Sequence, residues 1–292
     1  MKPHFNVVGA AIIKDGKVLA LRRSDGNESV IHKFEFAGGK VKKGETDKQA
    51  LIRECWEELE LEIEVGELLN TIEYEYSDCT ISLSVYFAKP LSEYTIKVHE
   101  EDKWLDPADL DPMDWAPADG AFLMILKNGQ IKTVDASTPK DFEIIRSISQ
   151  SVMHEAYDEK TADGQIDYMI DRFLSDESIL ENIRTKQYVY QIIYYNSEVA
   201  GFYAYCPAQQ YSPDLQEGTY VSKLYILEFA RGKRITSKQL SVLRRPVYMS
   251  VKYDDAQTIS ICKHCGFRIV KSVSTDLGEG YSTDDFLMKL DK

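Results

Sequence analysis

The chain has 292 residues, which is too long for one ordinary domain and suits two domains of middling size. Hydrophobic residues make up 43% and charged residues 28%, values that exclude a disordered or collagen-like chain. No apolar run approaches the ~18 residues of a membrane span, and the net charge of −13 disfavours binding to nucleic acid or to anionic membranes.

The cysteines and the N-terminus bear on the location of the protein. The first residues show no basic region followed by an apolar stretch, so we expect no secretion signal. Five cysteines are an odd number, and they lack the spacing of a disulfide framework. Because reduced thiols are typical of the cytosol, the sequence predicts a cytoplasmic protein.

The first part of the chain opens as a β-hairpin and continues into a helix. Two apolar runs, 7–13 and 18–21, flank a turn at Gly16. A capping box of the T-x-x-Q type begins a helix at Thr46, and an apolar stripe at every fourth residue carries it to about Leu59. Further strands and a short helix are predicted at 62–65, 68–76, 81–88 and 118–126.

The polar segment Lys127–Gln130 breaks this pattern, so we place a boundary there and expect domains at 1–128 and 129–292. The second domain opens with an amphipathic helix over 141–157 and has a clear hairpin around Asn196. Its other strands and helices are predicted at 221–227, 235–243, 246–251, 256–264, 267–270 and 286–290.

A cluster of carboxylates on the predicted helix is the most informative feature. Glu54, Glu57 and Glu58 stand at i, i+3 and i+4, which puts them on one face within a single turn. Three like charges so close need a counter-charge, and hard divalent cations such as Mg²⁺ or Mn²⁺, which prefer oxygen ligands, supply it. The alternative is a solvated acidic helix face, which is common.

Residues at fixed offsets from these glutamates favour the metal site. Gly38 and Gly39 form a tight loop where backbone groups can approach a metal and phosphates. Arg22, Arg23 and Lys40 are nearby cations suited to phosphate oxygens. The pattern therefore points to metal-dependent phosphate chemistry.

This stretch resembles the Nudix box, G-x5-E-x7-R-E-U-x-E-E-x-G-U, where U is a bulky apolar residue. The matching positions are Gly39, Glu45, Arg53, Glu54, Glu57, Glu58 and Leu61. Cys55 stands at the first U, and Glu60 replaces the final glycine. Because that glycine usually ends the helix, we expect its loss to lengthen or distort the last turn.

The resemblance extends to the MutT branch of this family and covers nearly all of residues 3–127. The segment Phe34–Lys40 resembles the W-E-F-P-G-G-K of that branch. The resemblance implies an α/β/α sandwich with a mixed sheet between helices. It also implies hydrolysis of a nucleoside diphosphate linked to another group.

Roles for individual residues follow from the resemblance. It implies that Glu54, Glu57, Glu58 and the carbonyl of Gly38 hold Mg²⁺ or Mn²⁺, while Arg53 pairs with a carboxylate and orients the helix face. That carboxylate is Glu45. A further acid outside the box often completes the site or acts as base, and Glu100 and Glu101 are the candidates, with an ordinary acidic loop as the alternative.

In MutT-like enzymes, the residue after Pro-Ala in the last loop contacts the nucleobase, and here it is Asp119. An ionised carboxylate can accept from an exocyclic amine such as that of cytosine, whereas a protonated one can also donate to an oxidised purine. The alternative is a helix N-cap. Phe34 and Tyr76 are candidates for stacking on the base, although such aromatics are more often core, and Phe36 is assigned to substrate binding.

The second half resembles the GNAT-type N-acetyltransferases. Val221–Lys233 resembles their core strand and coenzyme A loop, and Thr258–Phe267 resembles their A-I-x-F-Y-x-x-x-G-F. The resemblance implies an α/β domain with a central mixed sheet. The implied coenzyme A contacts are Leu224, Ile226, Arg231, Gly232 and Lys233.

Several departures make acetyl-CoA a doubtful cofactor. Arg234 and Thr236 replace small residues that let backbone amides reach the pyrophosphate. Cys262 stands where the family has a tyrosine that can protonate the leaving thiolate. Only 14 residues separate Thr236 from Val251, so we expect a truncated helix. We therefore expect acetyltransfer to be lost or altered, leaving packing, dimerisation or another ligand.

The sequence predicts a metal-dependent nucleoside triphosphate pyrophosphohydrolase that clears modified nucleotides, fused to a degenerate GNAT-like domain. Its expected partner is a small nucleotide, with no nucleic acid and no membrane, and a homo-oligomer is allowed for. The alternatives are another Nudix substrate such as a dinucleotide or nucleotide-sugar, a bifunctional hydrolase and acetyltransferase, and a nucleotide- and coenzyme A-sensing regulator. The complete set of three box glutamates argues against the regulator.

Overall fold

The computed structural model describes residues 2–157, 162 and 164–291. The chain divides into one unit of residues 1–132 with 194–198, and another of residues 133–193 with 199–292. Within the described residues, two mixed sheets of seven strands form the framework, which confirms the predicted α/β class. No helix in these ranges is both long enough and apolar enough to cross a membrane.

The first sheet is organised around its first strand. Its strands are β1 (His4–Lys14), β2 (Lys17–Arg22), β3 (Phe34–Glu35), β4 (Ala37–Lys40), β5 (Ile63–Glu75), β6 (Thr80–Pro90) and β7 (Glu101–Leu105). Strand β1 pairs antiparallel with β2 and β4 and parallel with β6. The two strands predicted at 62–65 and 68–76 are one strand, because β5 only shifts register between Val65 and Leu68 while it stays paired with β6.

Two helices, α1 (Asp47–Leu59) and α2 (Pro117–Asn128), complete this unit. Alternate residues of β1, from Val8 to Ile13, belong to two separate apolar clusters. One cluster contains the buried residues of α1, and the other contains those of α2. Because side chains of a strand point to opposite faces in turn, a continuously apolar strand can serve both clusters.

Helix α1 begins as predicted and ends without a glycine. The Thr46 side chain accepts from the N–H of Gln49, and the Gln49 side chain accepts from the N–H of Thr46 at 2.9 Å. The helix ends at Leu59 because Glu60 takes a left-handed conformation with φ of 50°. The prediction that helix α1 is lengthened is therefore wrong. The steric cost of the left-handed conformation falls on Glu60, which is not a glycine.

The second sheet has the strand order β13-β14-β12-β11-β10-β9-β8. Its strands are β8 (Ile131–Asp135), β9 (Val189–Tyr195), β10 (Glu198–Gln209), β11 (Gly218–Ile226), β12 (Val247–Lys252), β13 (Arg268–Gly278) and β14 (Tyr281–Leu290). The accompanying helices are α3 (Pro139–Tyr157), α4 (Gln165–Phe173), α5 (Asp176–Lys186), α6 (Ile235–Ser241) and α7 (Ala256–His264). Strands β11 and β12 run parallel, whereas β10 and β14 are antiparallel to them.

Candidate active site

Strand β4 carries the glycine loop to the acidic face of α1. Gly38 lies opposite Gly9 of β1, and a side chain at position 38 would clash with the carbonyl oxygen of Val8. A Cβ at Gly39 would lie 2.5 Å from Oε1 of Glu54. Glycine is therefore required at position 38, where backbone atoms leave no room, whereas a side chain at position 39 would displace the Glu54 carboxylate that packs on the loop.

Arg53 is the centre of an ion-pair network. Its Nε and Nη2 donate to the two carboxylate oxygens of Glu45 at 2.7 and 2.9 Å, which confirms the expected pair. Its Nη1 lies 2.7 Å from Oε1 of Glu54 and 3.1 Å from Oε2 of Glu57. The hydrogen bonds from Arg53 lower the pKa of Glu45 to about 2. Glu45 is therefore a permanent anion, and its bidentate pair holds the start of α1 in a fixed geometry.

Glu58 has no such ion pair with Arg53, and the charge of Arg23 acts on it only weakly. Burial, followed by the neighbouring carboxylates of Glu35 and Glu54, raises the pKa of Glu58 to about 8. The N–H of Gly38 donates to Oε2 of Glu58 at 3.2 Å and only partly opposes this shift. A cation at this position would stabilise the ionised form of Glu58.

The carboxylate oxygens of the three box glutamates are suitable ligands for a hard divalent cation. In the structure, however, two of these side chains form ion pairs. Among the residues that the structure describes, no three His, Cys, Asp or Glu side chains are grouped closely enough to hold a metal ion. Glu54 and Glu57 instead share the guanidinium of Arg53. The carboxylate oxygens fit such a cation, which would favour the ionised form of Glu58 and compete with Arg53 for the other two glutamates.

A second buried acid lies at the start of α2. Oδ1 of Asp119 accepts from the N–H of Phe36 at 3.1 Å. Burial and the charge of Glu35 raise the pKa of Asp119 to about 7. Since Ala116 is the N-cap of α2, the capping alternative for Asp119 is wrong. Both protonation states are accessible near neutral pH, so Asp119 can accept or donate towards a base.

Glu35 is not among the site residues that the sequence predicts. Its charge nevertheless acts on both buried acids, Glu58 and Asp119. Nη1 of Arg23 donates to Oε2 of Glu35 at 2.5 Å, and Nε2 of His99 lies 3.1 Å from Oε1. The side chains of Glu35 and His99 are only 17% and 3% exposed. The signal for Glu35 was its place between two buried phenylalanines, because a strand residue between core residues points to the opposite face. His99 gave no comparable signal.

The predicted phosphate-binding cations all have contacts within the protein. Arg22 donates to Glu101 at 2.7 Å, and its guanidinium lies 4.3 Å from the centroid of the Phe34 ring. Nζ of Lys40 lies 3.6 Å from the centroid of the Phe5 ring. Arg23 is held by Glu35, so phosphate binding by these three residues stays a prediction.

The two candidate bases are also engaged. Oε2 of Glu100 lies 3.0 Å from Nδ1 of His32. Glu101 accepts from Arg22 at 2.7 Å and pairs with Lys103 at 2.9 Å. In the described parts of the chain, neither acid joins the box glutamates in a metal-binding group. The choice between them stays open.

Two of the three aromatic candidates are core residues. Phe34 and Phe36 are 5% and 3% exposed, and their ring centroids lie 6.1 and 4.9 Å from that of Trp115. The backbone N–H of Phe36 donates to Asp119, and a role of Phe36 in substrate binding stays a prediction. Tyr76 is half-buried, and burial together with the charge of Asp119 raises its pKa to about 12, so its phenol borders the acid.

In the loop that resembles a coenzyme A site, Arg231 is paired with a carboxylate. Arg231 donates to both carboxylate oxygens of Glu155 at 2.5 and 2.7 Å. Arg234 is the N-cap of α6 with φ of 60°, and α6 has seven residues, which confirms the predicted truncation. Burial raises the pKa of Cys262 to about 12, so this thiol stays protonated at neutral pH.

One solved structure of an N-acetyltransferase matches more than half of this chain. The crystal structure of PaiA N-acetyltransferase from Thermoplasma acidophilum in complex with coenzyme A has a TM-score of 0.42 and 17% identity. The match covers 56% of this chain and 99% of that one. The GNAT-like interpretation of the second half stays a prediction.

The first part of the chain matches known proteins by sequence. The NUDIX domain model matches residues 3–124. The CTP pyrophosphohydrolase of Escherichia coli K12 is 37% identical over 117 residues, which are 39% of this chain and 85% of that protein. The 8-oxo-dGTP diphosphatase of the same strain is 29% identical over 128 residues, or 44% and 98% of the two chains. The chain therefore belongs to the Nudix family of hydrolases, which act on phosphoric anhydride bonds.

Proposed function

We propose that residues 1–128 form a metal-dependent pyrophosphohydrolase of the MutT type. It would convert a nucleoside triphosphate or modified deoxynucleoside triphosphate and water to the monophosphate and pyrophosphate. The observation that carries this proposal is the Arg53 network with Glu45, Glu54 and Glu57, beside the buried Glu58 with its raised pKa. The names of the two Escherichia coli relatives, a CTP pyrophosphohydrolase and an 8-oxo-dGTP diphosphatase, support the substrate class.

In this proposal, the three box glutamates and the carbonyl of Gly38 hold Mg²⁺ or Mn²⁺. Such a cation supplies charge neutralisation on the phosphates and makes water more acidic. Glu54 and Glu57 would exchange Arg53 for the metal, whereas the bidentate pair of Arg53 with Glu45 would hold helix α1 in place. The guanidinium thereby keeps the acidic face in a stable ion-paired state until the metal binds.

The remaining residues bind substrate and move the proton. Arg22, Arg23 and Lys40 bind phosphate oxygens and orient the chain of phosphates for in-line attack. Glu100 or Glu101 accepts the proton of the attacking water. Each acid has a polar partner, His32 for Glu100 and Arg22 for Glu101, which it would exchange for the attacking water.

Asp119 would select the base. Its pKa of about 7 leaves two modes open: the ionised form accepts from the exocyclic amine of cytosine, and the protonated form can also donate to 8-oxoguanine. Replacing Asp119 by Ala should change the ratio of kcat/KM between CTP and 8-oxo-dGTP by ~10-fold or more, because one base contact is worth ~1–3 kcal/mol. An unchanged ratio would remove Asp119 from base selection.

A nucleotide panel tests the whole proposal. CTP, dCTP, 8-oxo-dGTP, a dinucleotide polyphosphate and a nucleotide-sugar are hydrolysed with Mg²⁺ and with Mn²⁺, and pyrophosphate is scored against orthophosphate. We expect pyrophosphate from a triphosphate as the dominant product. Preference for the dinucleotide or the sugar, or release of orthophosphate from triphosphates, would refute the pyrophosphohydrolase assignment.

We propose further that the GNAT-like second half does not transfer acetyl groups. The Arg231–Glu155 pair and the short helix α6 support this, because a pyrophosphate needs free donors supported by a helix start. Isothermal titration of the full chain with acetyl-CoA should show no binding in the low-micromolar range. One-to-one binding at such concentrations would instead support the bifunctional enzyme or the regulator.

A further inference from the structure

The first unit contains five residues from far along the chain. Residues 194–198 belong to it, although the chain before and after them belongs to the other unit. They include the turn between β9 and β10, where Asn196 and Ser197 are left-handed with φ of 48° and 63°. Two such residues in succession are typical of a tight hairpin turn, so this segment has a defined shape.

Asn196 binds the chain directly after helix α2. Its Oδ1 accepts from the N–H of Gln130 at 2.8 Å, and its own N–H donates to the carbonyl of Gln130 at 2.9 Å. Its Nδ2 donates to the carbonyl of Leu126, in the last turn of α2, at 3.4 Å. Because Asn196 is only 1% exposed, water has little access to replace its side chain as a partner. The end of α2 therefore depends on Asn196.

The neighbouring residues of the segment add two further contacts. The ring of Tyr195 lies against Gly129, the C-cap of α2, so closely that a Cβ on this glycine would lie 2.2 Å from Cε2 of the ring. The two carboxylate oxygens of Glu198 accept from the N–H groups of Asp15 and Gly16 at 2.9 and 2.7 Å. Hydrogen bonds to an ionised acceptor are stronger than neutral ones. The segment is therefore bound both at the end of α2 and at the turn between β1 and β2.

Helix α2 connects this segment with the candidate base site. Asp119 lies in its first turn and Leu126 in its last, and its buried residues all belong to one apolar cluster. A helix of 12 residues is about 18 Å long and is a rigid element, so a shift at its end also moves its start. A binding group must be held within ~0.5 Å of its productive place. The contacts after α2 therefore affect where Asp119 lies.

We propose that Asn196 is a positioning residue of the hydrolase, which fixes the end of α2 and thereby the place of Asp119 against the base. Glu198 supports it by anchoring the hairpin turn on the first unit. The inference rests on the proposed role of Asp119 in base selection, but the displacement of α2 is measurable without any substrate. The second half of the chain thus contributes to the specificity of the hydrolase, which gives the fusion of the two halves a physical consequence.

Fluorine magnetic resonance of the full chain labelled with 5-fluorotryptophan measures the position of α2. All three tryptophans lie in the first unit. Trp115 directly precedes the N-cap of α2 and is 2% exposed, whereas Trp56 is 54% exposed on α1. The variants Trp56→Phe and Trp104→Phe assign two signals and leave the third to Trp115. Asn196→Gly, which suits the φ of 48°, should move the Trp115 signal by more than its linewidth and leave Trp56 in place.

Steady-state hydrolysis of CTP and 8-oxo-dGTP is the functional readout. Asn196→Gly should change the ratio of kcat/KM between these substrates by ~3-fold or more, mainly through KM. Ser197→Gly is the matched control, because Ser197 is the next residue of the same turn and is exposed. It should leave the Trp115 signal and the ratio unchanged. Glu198→Gln, whose amide has one acceptor oxygen for two N–H groups, is the second variant if Asn196→Gly does not fold.

The two readouts separate this inference from the proposed function. An unmoved Trp115 signal in Asn196→Gly would refute the positioning role. A ratio that changes in Asp119→Ala but not in Asn196→Gly would overturn the contribution of Asn196 to specificity. If Trp115 moves and neither variant changes the ratio, the positioning of α2 is supported and the proposed role of Asp119 fails.

Discussion

Helices α1 and α6 each follow a loop that contains glycine. Arg53 on α1 and Arg231 before α6 differ in their partners. Arg53 binds a glutamate before its own helix and two glutamates on it, so the acidic face stays assembled. Arg231 is bound by Glu155 of α3, outside the loop it belongs to. Helix α1 has 13 residues and a capping box, whereas α6 has seven residues and begins at an arginine. Only α1 combines a capped start, a long helix and an arginine that is paired with glutamates of its own motif. Such agreement between local features is typical of a well-specified structure.

The two regions also differ in the sign of their buried ionisable groups. Burial, and then the neighbouring carboxylate of Glu35, raises the pKa values of Glu58 and Asp119. Burial lowers the pKa of Lys223 in the second region. Burial therefore disfavours the charged form in both regions, and a bound cation would favour the ionised form of Glu58.

The largest expected effect comes from Glu57, whose carboxylate lies 3.1 Å from Arg53. Glu57→Gln should lower kcat by at least ~10²-fold with the fold intact, because it removes a charged oxygen ligand from the proposed metal face. Steady-state hydrolysis at saturating Mg²⁺ measures the loss, and circular dichroism checks the fold. Glu60→Gln is the matched control, since Glu60 pairs with Lys97 at 2.9 Å at the end of the same helix. Near-parental activity in Glu57→Gln would place the metal elsewhere.

Asp119 should make stability depend on pH in the metal-free protein. Its pKa is raised from 3.8 to about 7, so the folded protein holds this proton more tightly than the unfolded chain does. The resulting stability is complete below about pH 4 and is lost as the pH rises through 7. Asp119→Asn should therefore raise the free energy of unfolding at pH 8 by on the order of 2 kcal/mol, and little at pH 4.

Urea unfolding in a chelator at pH 4, 6 and 8 checks this dependence. Asp109→Asn is the control, because Asp109 is exposed. A gain for Asp119→Asn that is equal at all three pH values would point to a cause other than ionisation.

A smaller loss is expected when the arginine of α1 is replaced by lysine. A lysine keeps the charge but cannot bind both oxygens of Glu45 and reach Glu54 at once. Arg53→Lys should lower kcat by ~10-fold, the usual size for a residue that orients metal ligands. The readout that distinguishes positioning from folding is the Mg²⁺ concentration for half-maximal activity, which should rise. Arg231→Lys is the matched change in the second region and should leave hydrolysis unaltered; an equal loss there would contradict the assignment.

The features that the sequence predicted correctly are those that depend on residues close together along the chain. The capping box at Thr46, the hairpin around Asn196 and the pair of Arg53 with Glu45 depend on short spacings, and the structure confirms them. The helices α4 and α5 and the strands β3, β4 and β7 were missed. The three strands have two to five residues and exist because of their partners in the sheet.

Contacts between distant residues were also not predicted at the candidate active site. The contact of Glu35 with His99 joins residues 64 positions apart, so only the folded chain brings them together. The strand β5 was predicted as two pieces because its continuity depends on pairing with β6, which no local pattern in β5 records. Local signals therefore predicted the acidic face of α1, whereas the connection between Glu58 and Asp119 through Glu35 required the tertiary structure.

The smallest effect compares the two left-handed residues that border α1 and α6. Glu60 ends α1 with φ of 50°, and Arg234 begins α6 with φ of 60°. Glycine takes this conformation without the steric cost of a Cβ, so each change to glycine should raise the free energy of unfolding by roughly 0.5–1 kcal/mol. For Glu60→Gly, the lost pair with Lys97 subtracts little, because both side chains are largely exposed. Thermal unfolding measured against the controls Glu60→Ala and Arg234→Ala isolates the backbone contribution. If glycine is no better than alanine at position 60, the left-handed end of α1 carries no strain and the departure from the Nudix box has no cost.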